Sequence, residues 1–290
     1  MKFIRHPTAP VLSGILLLAI PCWGHGEDAP ASTSLFRSYF TDWFTRVDES
    51  REKQPHWMGP VVTTSPTLLE ILRYDISQES LPGGHNLTSY GYGKGLEFIP
   101  AEPIQFTIGL PAWQTVNTSP AKSGWTDQTF LMKYRFASAN EDNGNYVFTG
   151  FFGVSVPNGS AKFTSHHFVF TPTAAFGKGW GDFDVQSTLG ISVPDNEGGR
   201  RTLGTPLALN IVTQYRLLKF LWPEAELNYT YWPNGTHEGL NQAFITPGIM
   251  LGKLPLFGRF SAMIGGGCQL AVTDHPLYQR NFIFTARLRF

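Results

Sequence analysis

Charge and cysteine are scarce in this chain of 290 residues. Charged side chains make up 15%, with 22 basic and 22 acidic residues and a formal net charge of +0. That balance provides no field for a nucleic-acid partner. There are two cysteines, Cys22 and Cys268. A mature chain cleaved after Cys22 retains only Cys268 and can form no internal disulfide, so it is not one of the small secreted domains held by bridges. Beyond residue 24 no run of about eighteen apolar residues occurs, which excludes a transmembrane helix. The chain contains no H-E-x-x-H and no cysteine cluster. Gly265-Gly266-Gly267 lacks the lysine and hydroxyl of a phosphate loop and reads as close packing within a strand. No cofactor or metal is expected.

Aromatic residues, by contrast, reach 14%, with 23 Phe and 30 Gly. Residues 1–24 read as a secretory signal peptide: Lys2, Arg5 and His6 precede the apolar run Val11 to Ile20, which Pro21 closes. Cleavage is expected after Gly24 or Gly26. A lipoprotein signal at Cys22 is disfavoured by Ala19-Ile20-Pro21 before it. Residues 25–67 are expected to hold a polar linker and an amphipathic helix. In that helix, 35–48, Leu35, Phe36, Tyr39, Phe40, Trp43, Phe44 and Val47 recur at helical spacing behind the N-cap candidate Ser34. It is expected to plug the lumen, to lie on the periplasmic leaflet, or to pack across one barrel mouth.

From Leu68 the period becomes two. About twelve segments can be drawn, at 68–78, 87–98, 103–112, 127–138, 145–156, 166–177, 182–193, 205–218, 223–232, 242–252, 257–272 and 279–290. In the last, Phe282, Phe284, Ala286, Leu288 and Phe290 share a face opposite Thr285, Arg287 and Arg289. In 223–232, Leu227, Tyr229 and Tyr231 oppose Glu224, Glu226 and Asn228. In 182–193, Phe183, Val185, Leu189 and Ile191 oppose Asp182, Asp184, Gln186 and Thr188. Periodicity alone cannot distinguish a soluble sandwich from a barrel whose polar face is turned inward. Segment length does, because ten to twelve residues tilted at about 45° cross a bilayer, and sandwich strands are mostly shorter. An even count also closes the sheet and removes unpaired edges. The gaps alternate long and short, as extracellular loops and periplasmic turns do. Trp113, Trp125, Trp180, Trp222 and Trp232 fall near segment ends, where an interfacial belt would place them.

The expected fold is therefore all-β: an antiparallel up-and-down transmembrane barrel of about twelve strands over 68–290, in a bacterial outer membrane. Its partners would be outer-membrane lipid, the barrel-assembly machinery acting on the C-terminal Phe290, and a small-molecule solute. Glu97, Lys133, Arg135, Asp182, Asp184, Arg216, Glu224, Glu226, Arg259, Arg287 and Arg289 are expected to line the lumen, either as a cross-barrel ion-pair network or as a solute-selecting conduit. Gly91-Tyr92-Gly93-Lys94-Gly95 would leave a smooth strip against which a plug or substrate could pass. His166-His167, after Thr164-Ser165, and His237-Glu238 read as loop residues rather than as a metal or hydrolase site.

The run Phe130-Leu131-Met132-Lys133-Tyr134-Arg135-Phe136, followed by Gly150-Phe151-Phe152-Gly153-Val154-Ser155-Val156-Pro157-Asn158-Gly159, resembles the strand–turn–strand of the outer-membrane barrel family named for the MetA pathway of phenol degradation. That resemblance implies a transporter of small, often aromatic or hydrophobic compounds and carries no substrate residues with it. The alternatives are an outer-membrane hydrolase with a Ser-His site at the rim and a closed structural barrel.

Overall fold

The computed structural model describes residues 37–91 and 94–290. The expected signal peptide, the linker and the start of the predicted helix lie outside the described residues. Residues 37–41 form a helical turn with the Tyr39 and Phe40 rings edge to edge at 5.3 Å. They belong to a separate unit from residues 42–290.

The second unit begins with α1, Trp43–Glu52, and continues into the sheet. The strand pieces are β1 Ile71–Ser80, β2 Asn86–Tyr90, β3 Gly95–Ala101, β4 Ile104–Gly109, β5 Trp113–Val116, β6 Lys122–Trp125, β7 Gln128–Ala139, β8 Tyr146–Val156, β9 Val169–Trp180 and β10 Phe183–Ile191. After β11, Val193–Pro194, and a short helix α2, Glu197–Thr202, come β12 Leu207–Tyr215, β13 Leu221–Tyr231, β14 Asn241–Pro255, β15 Ser261–Ala271 and β16 Arg280–Arg289. The sixteen pieces make twelve barrel strands, because β2/β3, β4/β5, β6/β7 and β10/β11 are each one strand broken by a kink. All pairings are antiparallel between sequence neighbours, and β1 pairs with β16, Ile71 opposite Arg289, to close the ring. Closure satisfies the edges that hydrocarbon would leave unpaired. The outer pieces β2, β5 and β6 pair in that order beside β1, and Trp113 on β5 meets Trp125 on β6 at 5.1 Å.

The interior is polar. Lys133, Glu226, Gln186, Gln214 and Thr285 are buried, whereas Leu72, Tyr74, Phe130, Phe148, Phe152 and Phe284 are exposed. A water-soluble sandwich would reverse this, so the apolar belt faces lipid. Two of the five predicted belt tryptophans do not join it. Trp222 and Trp232 occupy the inward parity of β13 and its continuation and are buried, Trp222 within an apolar cluster with Met58, Val61 and Met250. Strand parity decides their side, not their nearness to a strand end.

The short turns, including 102–103, 140–145 and 181–182, lie at the end where β16 finishes, which is the periplasmic end of such a barrel. α1 sits there. It runs to Glu52 rather than stopping at 48, because its charged second half is anchored. Asp48 accepts both guanidinium arms of Arg259 at 2.6 Å, Ser50 Oγ donates to the Glu102 carbonyl at 2.7 Å, and Arg51 donates to the Phe290 carbonyl at 2.8 Å.

Candidate functional site: the filled lumen

The segment from Gln54 to Leu69, which has no hydrophobic period, enters the lumen from the periplasmic mouth, turns near Thr63 and Thr64, and returns to β1. Pro55, Pro60 and Pro66 deny it a regular ladder. Its backbone is buried without secondary structure, so each N–H and C=O needs a partner elsewhere. Wall side chains provide them by sign. Acids take the amides: Val61 N–H donates to Glu224 at 2.8 Å, and Val62 and Thr63 N–H donate to the two Glu226 oxygens at 2.7 and 2.8 Å. Bases take the carbonyls: Arg287 donates to Gly59 and to Pro60, the latter at 2.7 Å. Arg73 donates to Pro60 and Val61, and Lys133 reaches Ser65 at 3.0 Å and Thr67 at 3.2 Å. Thr149 donates to the Pro66 carbonyl at 2.7 Å. The Gln54 amide closes the neck by accepting from Leu68 N–H at 2.9 Å and donating to its carbonyl at 2.7 Å.

Burying a charge is tolerable when it is fully hydrogen-bonded. Here the bonding partner is mostly peptide rather than counter-charge. Among the described residues the buried ion pairs are Arg73–Asp75 at 2.7 Å and Lys133–Glu97 at 4.0 Å. The expected cross-barrel salt-bridge network is therefore replaced by a cradle for an inserted loop.

The predicted lumen set divides accordingly. Glu224, Glu226, Lys133 and Arg287 hold the loop. Arg135 grips the Ser50 carbonyl at 2.7 Å and pairs with Glu102 at the mouth. Glu97 accepts from Gln105 at 2.7 Å, and Asp184 accepts from Gln186 at 3.0 Å. Arg289 is half-buried at the mouth. Asp182, Arg216 and Arg259 do not line the lumen. Asp182 and Arg216 pair with each other at 2.6 Å on the rim, and Arg259 binds Asp48, because all three lie in turns where the strand alternation has ended. Of the predicted glycine strip, Tyr92 and Gly93 lie outside the described residues, and Gly95 does not leave open space. A Cβ on Gly95 would strike the Ile108 carbonyl, and Lys94 reaches inward to Thr64 Oγ1 at 3.1 Å.

Arg73, Gln54 and Gln105 escape the sequence reading, which places Gln186 and Lys94 in the wall without a role in holding the loop. The inward parity of β1 carries the signal for Arg73, but Leu68, Leu69, Ile71 and Leu72 obscure it. At the rim, Ser165 Oγ lies 2.7 Å from the Asp127 carboxylate and 2.7 Å from the His167 carbonyl, which compete for its one proton, while the His167 ring faces Asp195 at 3.3 Å. The hydroxyl and the imidazole are thus engaged separately and do not form a nucleophile–base pair.

No protein-family model matches the chain, and no curated protein is similar to it in sequence. Among solved structures, the COG4313 outer membrane channel from Pseudomonas putida F1 aligns with a TM-score of 0.55 at 13% identity, over 76% of this chain and 94% of that one. The chain shares the barrel fold of that structure. The KdgM porin aligns more loosely, with a TM-score of 0.45 at 12% identity over 76% of this chain and 99% of that chain. A closed twelve-strand barrel with a polar interior and an apolar belt belongs in the bacterial outer membrane. This outer-membrane barrel keeps open space above its loop. Two adjoining cavities of about 220 and 200 Å³ share Thr64, Leu131, Gly153 and Thr171.

Proposed function

We propose that this barrel is a channel for small molecules, not an enzyme, and that the inserted loop 54–68 is its gate. The observation that carries the reading is the use of the wall charges. At least five ionic side chains hold one irregular loop through its backbone, and space large enough for a small solute stands directly above it. A permanent core would be more stable with apolar packing, since buried ionic groups repay their desolvation only partly. On release, water can take over each of these polar bonds, which suits a plug that must leave. The resemblance of the Lys133-Tyr134-Arg135 strand to the phenol-degradation family supports a transporter.

The test is a reversible lock. Thr63 Oγ1 and Asn228 Nδ2 lie 3.1 Å apart. In a Cys268→Ser background, Thr63→Cys with Asn228→Cys should be silent in planar bilayers when oxidised and conduct when reduced. Equal silence in both states, with the barrel folded and the crosslink verified, would leave a closed structural barrel instead.

A further inference from the structure

We propose that the space above the loop is a transit site for a neutral, polyhydroxylated solute of about monosaccharide size. The inference rests on the channel reading and adds the class of solute. Its ground is the chemistry left over once the loop has been bound.

The charges nearest these cavities are already committed. Lys94 donates to Thr64 Oγ1 at 3.1 Å and to the Val62 carbonyl, while Glu97 accepts from Gln105 and faces Lys133 at 4.0 Å. What remains along the wall is a band of short neutral polar groups on the inward parity of neighbouring strands. Thr107 comes from β4, Thr171 and Thr173 from β9, Thr188 from β10 and Asn210 from β12. Asn210 Nδ2 donates to Thr188 Oγ1 at 2.8 Å while its Oδ1 accepts from Asn228 at 3.0 Å, Thr107 Oγ1 accepts from Gln105 at 3.1 Å, and Thr171 Oγ1 shares one contact with Ser192 at 3.2 Å. A hydroxyl offers one donor and two acceptor positions, so each keeps capacity facing the cavity.

Such a band matches a solute that is itself donor and acceptor at every carbon. It offers an ion no uncommitted counter-charge, and the apolar surface between its hydroxyls, from Phe130, Leu131, Phe151, Val154 and Ala208, suits the C–H faces of a sugar ring. Many weak hydrogen bonds without a deep pocket also fit passage, where a solute must bind well enough to enter and loosely enough to leave. A site that hydrogen-bonds hydroxyls discriminates strongly against analogues lacking them.

The experiment uses the full chain in proteoliposomes, with swelling measured in glucose, gluconate and glucosamine, three solutes of one size that differ in charge. Glucose should enter fastest. Thr171→Val with Thr188→Val, which removes two hydroxyls at constant volume, should lower the ratio of glucose entry to KCl conductance by about tenfold. Heat-modifiable migration on gels verifies that the variant barrel is folded. Equal entry of all three solutes, faster entry of catechol than of glucose, or an unchanged ratio in the folded variant would overturn the solute class while leaving the channel standing. Absence of KCl conductance from the reduced Thr63→Cys/Asn228→Cys protein would overturn the channel itself.

Discussion

Glu226 illustrates how a single residue can be essential without an ionic partner. Its two oxygens receive the Val62 and Thr63 amides, and its replacement by alanine would leave two buried donors unmade at about 1–3 kcal/mol each. Glu141 works similarly at the mouth, outside the membrane. Partial burial alone would raise its pKa, but hydrogen bonds from the His56 ring at 2.9 Å and the His56 backbone at 2.7 Å outweigh it and hold the carboxyl at about 2. An acid with a depressed folded pKa adds stability that is fully present above its unfolded value, near 4.5, and is lost as pH falls through about 2. The thermal transition of Glu141→Gln should therefore lie below that of the wild type at neutral pH, and the gap should close across this window. A gap independent of pH would show that the carboxylate charge is not what holds His56.

At the scale of elements, loop and wall are fitted to each other. Gly177 on β9 faces Trp57, and a Cβ there would overlap the indole. Gly177→Leu should unseat the loop at a cost of about 1–3 kcal/mol while the barrel stays closed. Faster chymotrypsin cleavage at Trp57, with unchanged heat-modifiable migration, is the expected pattern, and equal cleavage rates would show that the fit is dispensable. The strands themselves were legible, because lipid outside and polar side chains inside write a period of two, as in Phe284-Thr285-Ala286-Arg287. The loop was not. Peptide groups, which every residue has, make its contacts, so nothing in Gly59-Pro60-Val61-Val62 announces that Arg287 and Glu224 will bind there. The wall's half of the site was partly readable, as inward Glu224, Glu226, Lys133 and Arg287, but their purpose was not. Turn residues such as Asp182 and Arg216 were misassigned because alternation was extended past the strand ends.

For the whole molecule, the division between belt and lumen is the main stabilising arrangement. Ile76 and Phe284 face each other across the closing seam on the lipid side. Phe284→Arg should cost about 2–4 kcal/mol if it lies near the bilayer midplane. The expected result is a lower yield of heat-resistant barrel in membranes but little change in detergent, and equal loss in both would place Phe284 away from lipid.

The bond between Arg51 and the Phe290 carbonyl spans 239 positions of sequence, and those from Arg287 to the loop span 228 and 227. None of these can form until the last strand has been laid beside the first. The full set of bonds on the segment of the domain synthesised earliest thus requires the strand synthesised last. A seated loop is then a record of history: it reports that the ring behind it has already been completed.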